Sequence, residues 1–339
     1  MTTTDFPLMK PTKLFAVAVA TVLAVASAGC MKYEKKANSH TTGTTTLVCD
    51  NTFENIMAQE VDVFEYQYPE AHILTRYATQ AEAFDSLMSL NTKTIVVSRD
   101  VSERERQILK DKRRTVRSTK IAVDAVALIV NPENPVGKLT LKEVADILSG
   151  ESSDWNDIWP CDLGKISVVF DDKSSSLVTY MRDSLLNGAP LGDNVYAQGS
   201  IPAVFKAVKE SKNAIGVVGV SWITTDMASA DMSKEDLAAE VLGEEPVEGA
   251  TLTDEVKVLA LYNDKLSGDE ARAYKPYQQY IFDGKYPLFR QMYMITTGAS
   301  GSLAGGFYSF VTGNIGQKII AKTGILPARM QRIQVELGE

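Results

Sequence analysis

Short β-branched runs alternate with stretches whose apolar residues recur at helical spacing through the first part of the chain. TTTLVCD (44–50) reads as a strand and runs into NTFENIMAQEVDVFEYQYP. There Ile56, Met57, Val61, Phe64 and Tyr68 repeat at helix spacing and Pro69 closes the helix. AHILTRYA (71–78) is a second predicted strand, AEAFDSLMSL (81–90) a helix and TKTIVVSRD (92–100) a third strand. A highly charged helix, SERERQILKDKR (102–113), follows. This β-α-β-α-β-α order predicts a parallel sheet with right-handed crossovers.

A second unit follows with the same rhythm. VDAVALIVNP (123–132) is a long apolar strand ended by Asn-Pro, and LTLKEVADILSG (139–150) is a helix with a threonine cap that stops at Gly150. Ile166 to Phe170 reads as a buried strand, followed by a helix carrying Leu177, Tyr180, Met181 and Leu185. IPAVFKAVKESK (201–212) is a helix and AIGVVGVSWI (214–223) a strand. The acidic stretch 226–255 reads as helical surface and loop. Strands are expected at VKVLALY (256–262) and YPLFRQMYMITT (286–297), and GGFYSFVTGNIGQKIIAKTGILP (305–327) carries a helix ending at Gly324 and Pro327. No internal repeat is visible.

The N-terminus carries an export signal. Lys10 and Lys13 precede LFAVAVATVLAVA (14–26), too short to span a bilayer comfortably. Ser27-Ala28-Gly29 then lead into Cys30, an arrangement like a lipobox, in which the cysteine is lipidated and becomes the mature N-terminus. An ordinary secretory peptide with Cys30 incidental is the alternative. Residues 30–45 are polar and aperiodic, as expected of a solvated tether. The folded part has room for two lobes, since single cores stop growing near about 250 residues. The net charge of −8, from 35 Lys and Arg against 43 Asp and Glu, argues against a nucleic-acid partner. Besides Cys30 only Cys49 and Cys161 are present, without CxxC spacing, so a metal site is not expected. The two pair as a disulfide or stay as separate thiols.

Strand-to-helix turns are where ligands sit in doubly wound sheets. Three of them share one chemistry: Asp50 with Asn51, Thr52 and Phe53; Ser98, Arg99 and Asp100; and Asp171 through Ser174, Ser175 and Ser176. Each sets hydroxyls beside the unpaired amides of a helix's first turn, where the peptide dipoles favour an anion. Arg99 would add a planar fork of donors. Plain N-capping is the competing explanation for each turn. Catalysis has less behind it, because there is no GxSxG elbow or HExxH, and a triad would have to use His72. The glycine-rich TTGASGSLAGG (296–306) lacks the lysine of a P-loop.

On DNTFENIMAQEVDVFEYQYP, IVVSRDVSERE, IAVDAVALIVNPENPVGKLTLKEVADILSGESSDWND, FDDKSSSLVTYMRDSL, AIGVVGVSWI, YPLFRQMYMITT and GQKIIAKTGILPA, the sequence resembles the PstS-like phosphate-binding lipoproteins of Bacteroidetes-type bacteria. These are substrate-binding components of ABC transporters. The resemblance implies an α/β, two-lobed type II periplasmic binding protein, with two doubly wound lobes joined by hinge strands at 125–131 and 286–295. It implies a signal peptide (1–29), a tether (30–45), lobe one (46–126 plus 287–335) and lobe two (127–286). Carried over residue by residue, Thr52 and Phe53 match the first phosphate-contacting turn, with Asn51 beside them. Thr79 falls near the family's second contact, and Ser174, Ser175 and Ser176 match the turn that wraps the phosphate.

Two positions depart from the family pattern. Phe170 stands where the family has an arginine, and Arg99 falls at or next to its proton-accepting aspartate. Arg99, with Ser98, is therefore expected to supply the missing guanidinium, and Asp100 or Asp50 the acceptor. The expected function is non-enzymatic capture of inorganic phosphate in the cleft for an inner-membrane ABC permease. The protein would be a monomer held to the membrane through Cys30, periplasmic or at the cell surface, without cofactor or metal. Another oxyanion such as sulfate or molybdate, a sensor without transport, an exported phosphate-ester hydrolase, and a structural lipoprotein that lost its ligand are the rival readings.

Overall fold

β1 (Gly43–Asp50), α1 (Glu54–Gln67), β2 (Ala71–Ala78), α2 (Gln80–Met88), β3 (Thr94–Val97) and α3 (Glu103–Asp111) follow one another in the expected alternation. The computed structural model describes residues 39–224, 233–243 and 251–329, so the leader, Cys30 and most of the tether lie outside the described residues. β1 pairs in parallel with β2 on one side and β3 on the other, because each helix returns the chain to the start of the sheet. Thr79 with Glu82, and Ser102 with Glu105, form capping boxes that satisfy the first-turn amides of α2 and α3. His72 is exposed on β2, the edge strand.

β4 (Arg117–Val130) begins well before the apolar run that announced it. Its polar start, Arg117 to Lys120, is held by an antiparallel ladder, so pairing sets its length and hydropathy does not. β5 (Lys138–Leu139), α4 (Leu141–Ser149), β6 (Ser167–Phe170), α5 (Ser176–Leu185), β7 (Val195–Ala197), α6 (Ile201–Glu210) and β8 (Ala214–Gly219) make the second unit. Gly150 ends α4 in the left-handed conformation, φ 84°, where a side chain would be strained. α7 (Lys234–Leu242) falls in the acidic stretch, of which 226–232 and 244–250 lie outside the described residues.

The strand expected over 256–262 is divided. β9 (Lys257–Val258) pairs with β4, whereas β10 (Ala260–Tyr262) joins β5 and β11 (Ala273–Tyr274) in a small separate sheet. α8 (Gln278–Phe282) leads to β12 (Phe289–Thr296). The single helix expected over 305–327 is two, α9 (Leu303–Val311) and α10 (Asn314–Lys322), before β13 (Leu326–Pro327). Gly313 makes the break: a β-carbon there would lie 2.8 Å from the Ser309 carbonyl oxygen.

The large sheet runs β2-β1-β3-β12-β4-β8-β6-β7, with β9 and β13 also on β4. β12 is antiparallel to both β3 and β4, and β6 is parallel to β8 and β7. β4 belongs to both halves. Arg117 to Ala125 pairs with β12, and Val126 to Val130 pairs with β8. The described residues belong to one compact unit. Phe64 of α1 packs edge-on against Tyr68, Phe307 and Phe310. Ala238 and Val241 of α7 meet Val63 of α1 and Ile319 of α10. Cys49 and Cys161 are separate free thiols. No helix among the described residues is long and apolar enough to cross a membrane.

Glu60 is buried on α1 with no donor to either carboxylate oxygen, and burial holds its pKa well above the ordinary range. Below its unfolded pKa both states are neutral. As pH rises the unfolded chain ionises while the folded one resists, and stability falls. Glu60→Gln is therefore expected to raise the melting temperature by about 2 °C or more at neutral pH. That gain should vanish near about pH 4. A gain that ignores pH in thermal unfolding would show the carboxyl is not the cause.

Candidate ligand-binding site

The site is assembled where β1 ends and β4 meets β12. Asp50, the last residue of β1, turns its carboxylate onto the next turn: Oδ1 accepts from Thr52 N–H at 3.0 Å and from Thr52 Oγ1 at 2.9 Å. This fixes a 3-10 turn over Asn51–Phe53 and buries Thr52 and Phe53. Asp124 and Arg290 are partners across the β4–β12 ladder. Arg290 Nε and Nη2 donate to Asp124 Oδ2 at 3.1 and 3.0 Å.

The same guanidinium reaches further. Its Nη2 donates to Thr52 Oγ1 at 2.9 Å and its Nη1 to Ser176 Oγ at 2.7 Å, while its carbon lies 4.4 Å from the centre of the Phe53 ring. Thr52 Oγ1 and Ser176 Oγ are 3.2 Å apart. Because the Thr52 proton is directed to Asp50, Ser176 is the donor between them. Arg290 thus commits four of its five N–H groups, leaving one on Nη1. Thr52 comes from the β1 unit, Ser176 from the start of α5, and Arg290 and Asp124 from the shared strands.

Asp50, Asp124 and Asp171 are all buried; Asp124 pairs with the guanidinium, Asp50 reaches it through Thr52, and the Asp50 charge acts on both of the others. Asp50 Oδ2, Asp124 Oδ1 and both Asp171 oxygens have no donor in bonding geometry. Burial raises the pKa of Asp124 against the opposing pull of Arg290, and burial, helped by the Asp50 charge, raises that of Asp171. Acceptors outnumber donors here, so the arrangement suits a ligand that brings its own protons. Gly219 makes room for the pair, since a β-carbon there would lie 2.9 Å from Asp124 Oδ2. Around the rim, Asn55 Nδ2 donates to the Ser221 carbonyl at 2.8 Å and Trp222 Nε1 to the Thr52 carbonyl at 3.0 Å.

Of the residues picked out from sequence, Thr52, Phe53 and Ser176 come together. Asn51 lies beside them with its Oδ1 buried and without a donor. The three serines separate. Ser175 is buried and caps α5 through Leu177 N–H, whereas Ser174 is exposed and donates to Asp172 Oδ1 at 2.6 Å. Thr79 closes the α2 capping box, and Ser98 donates to Gln80 Oε1 through both its N–H and its hydroxyl.

The expectation that Arg99 supplies the guanidinium is corrected by the structure. Its Nη1 and Nη2 form a fork on Glu105 at 2.9 and 2.7 Å, over the Phe84 ring, with the side chain 45% exposed. Arg99 holds the Glu105 carboxyl down to about 2 and so serves the first turn of α3. Asp100 is likewise engaged with Val101 N–H and Ser118, which leaves Asp50 in the cluster. Asp171 lay in the third candidate turn, whereas Arg290 and Asp124 were not among the candidates read from the sequence. Their signal was a lone charge inside an apolar strand, Asp124 in IAVDAVALIV and Arg290 in YPLFRQMYMI. Among the described residues no cluster of His, Cys, Asp or Glu is placed to hold a metal ion.

Residues 34–314 match the family model described as PBP superfamily domain. The chain belongs to the PBP superfamily. Among its superfamily relatives, it is similar to the phosphate-binding protein PstS of Pseudomonas aeruginosa, 24% identical over 336 residues covering 94% of each protein. It is also similar to PstS of Staphylococcus haemolyticus, 22% identical over 67% of this chain and 62% of that one. A crystal structure of a phosphate ABC transporter substrate-binding protein from Clostridium perfringens with bound phosphate superposes with a TM-score of 0.64 at 18% identity, over 85% of this chain and all (100%) of that one. An ABC-type phosphate transport receptor from Vibrio cholerae gives 0.59 at 18% identity, over 84% and 100%. The fold of this PBP superfamily member is thus the two-lobed type II architecture.

Proposed function

We propose that this PBP superfamily member captures inorganic phosphate between its two lobes, without chemistry, and delivers it to an inner-membrane ABC permease. The carrying observation is one buried guanidinium, Arg290, bonded at once to Thr52, Ser176 and Asp124. A tetrahedral oxyanion takes the Ser176 hydroxyl, the Nη groups and the first-turn amides of α5 as donors, beside Thr52, whose own proton stays on Asp50. Asp50 accepts a proton that the anion brings. The names of the relatives and of the superposed structures support phosphate as that anion.

In this reading lobe one is 46–126 plus 287–335 and lobe two is 127–286, with β4 and the β12 region as the crossings. Thr52 and Asp50 stand on one lobe and Ser176 and Asp171 on the other, so closing the lobes completes the site and excludes water. Asn55–Ser221 and Trp222–Thr52 hold it closed. Cys30 carries a lipid, residues 30–45 tether the folded part outside the cytoplasm, and the protein works as a monomer.

A thermal-shift panel of phosphate, arsenate, sulfate and molybdate tests the reading, since stabilisation follows affinity. Phosphate and arsenate are expected to stabilise strongly and sulfate and molybdate little. Ser176→Ala should weaken phosphate about tenfold or more by calorimetry, from loss of a hydrogen bond to a charged group. Ser174→Ala, turned toward Asp172, should stay within about twofold. A larger loss from Ser174→Ala, or stabilisation by sulfate alone, would refute the assignment.

A further inference from the structure

The run LKDKRRTVRSTK (109–120) holds six lysines and arginines and one aspartate, in a chain of net charge −8. The fold gathers part of it with the glycine-rich loop that sequence reading set aside. Lys93, Arg113, Arg114 and Arg117 line a cavity of about 380 Å³ together with Ser300 and Ser302 of that loop. Ser302 caps α9, so the first-turn amides of that helix add their partial charge. Among the described residues no carboxylate forms an ion pair with any of the four cations. Arg117 is positioned by the Gly298 carbonyl, at 3.0 Å, and by the Tyr308 ring.

The place matters as much as the charge. Along β4, Arg117 is seven residues from Asp124, roughly 23 Å of extended strand, so the cavity lies at the end of the sheet away from the ligand site. The chain also enters the folded unit at that end. The His40 carbonyl rests against Gly306 in the first turn of α9, close enough that a β-carbon there would lie 1.9 Å from its oxygen. Thr92 Oγ1, next to Lys93, donates to the Thr46 carbonyl near the start of β1. Ten residues separate Cys30 from His40, a reach of at most roughly 35 Å.

We propose that this basic cavity docks the phosphates of anionic lipid headgroups, so that the membrane holding the tether also orients the protein with its binding site turned away. The proposal rests on the lipid anchoring set out above for its geometry, but vesicle binding does not depend on phosphate capture. The chain beginning after Cys30 retains every described residue of the compact unit. At low salt it is expected to sediment with phosphatidylglycerol vesicles and not with phosphatidylcholine vesicles, and to be released as salt rises. Lys93→Ala and Arg114→Ala, both at exposed positions, should each weaken that binding about fivefold. The double variant should bind phosphate in solution as the parent does. Equal sedimentation with both vesicle types, or phosphatidylglycerol binding unchanged in the double variant, overturns the proposal. A second, weaker phosphate site seen by calorimetry and lost in the double variant overturns it too, in favour of a small soluble anion. Loss of all phosphate binding by the parent would instead count against the proposed function and leave the vesicle result standing.

Discussion

Arg290→Met is expected to weaken phosphate binding by about a thousandfold, because at least two charge-assisted hydrogen bonds to the ligand disappear together. The same change should cost about 3–5 kcal/mol of stability near neutral pH, since it leaves Asp124 buried and unpaired. The pH dependence separates this from a packing defect. Burial already holds the Asp124 pKa above the ordinary range with the guanidinium in place, and its loss raises it further. The penalty is therefore present where the unfolded carboxyl is ionised and shrinks as pH falls toward about 4. Denaturant unfolding at neutral and acid pH measures it.

Two companion variants sharpen that result. Arg290→Met with Asp124→Leu should regain most of the stability, because the buried charge is gone, and none of the binding. Arg290→Lys should not rescue binding, since a single ammonium cannot serve Thr52, Ser176 and Asp124 at the separations the fork spans. Arg99→Ala should leave phosphate affinity unchanged, because its guanidinium belongs to Glu105. Full phosphate affinity in Arg290→Met would remove the residue from the site and with it the main support for the proposed function.

What could be read from the chain, and what could not, divides along the range of the interactions involved. The helix over 54–67 is set by local periodicity, and those over 80–88 and 141–149 by periodicity and capping boxes at Thr79 and Thr140, so all three were legible. The polar start of β4 and the division of 256–262 between two sheets depend on partners far along the chain, which local pattern does not carry. The site shows the same division. The Thr52 turn and Ser176 follow from a strand-to-helix motif visible in a few residues. The guanidinium comes from β12, 114 residues beyond Ser176, and meets Asp124 only through strand register.

Arg99 and Arg290 illustrate why a motif alone misled. Both follow apolar residues near a strand, and Arg99 lies within a turn of the expected kind. Its nearest acid, however, is Glu105, supplied by the capping box of the helix that the turn itself begins. A local partner this well placed captures the arginine before any distant ligand can. Arg290 has no such partner on its own strand, and lies buried where only an opposing carboxylate and hydroxyls can satisfy it. A charge isolated within a hydrophobic strand is the better pointer, because an unpaired buried charge is too costly to persist.

Asp50→Asn is expected to change which anion is bound more than how tightly the fold holds. In the parent, Asp50 Oδ2 is a buried acceptor without a donor, while Oδ1 is occupied by Thr52. Hydrogen phosphate offers a proton to such an oxygen; sulfate offers a lone pair, and two facing acceptors repel. A site built around that hydrogen bond should reject sulfate by about 10⁴-fold. An asparagine amide can donate, so the variant should admit sulfate and lower the phosphate-over-sulfate ratio by about 100-fold or more. The buried carboxylate oxygens of Asp50, Asp124 and Asp171 that lack donors also favour the ligand that carries more protons. Phosphate affinity in the parent should therefore decline as pH rises through phosphate's second ionisation, and the decline should flatten in Asp50→Asn. Calorimetry with both anions across that range decides the matter. If selectivity survives in Asp50→Asn but collapses in Asp171→Asn, the acceptor is Asp171, whose two oxygens are equally without donors. If it survives in both, proton acceptance by this cluster is not what distinguishes the anions.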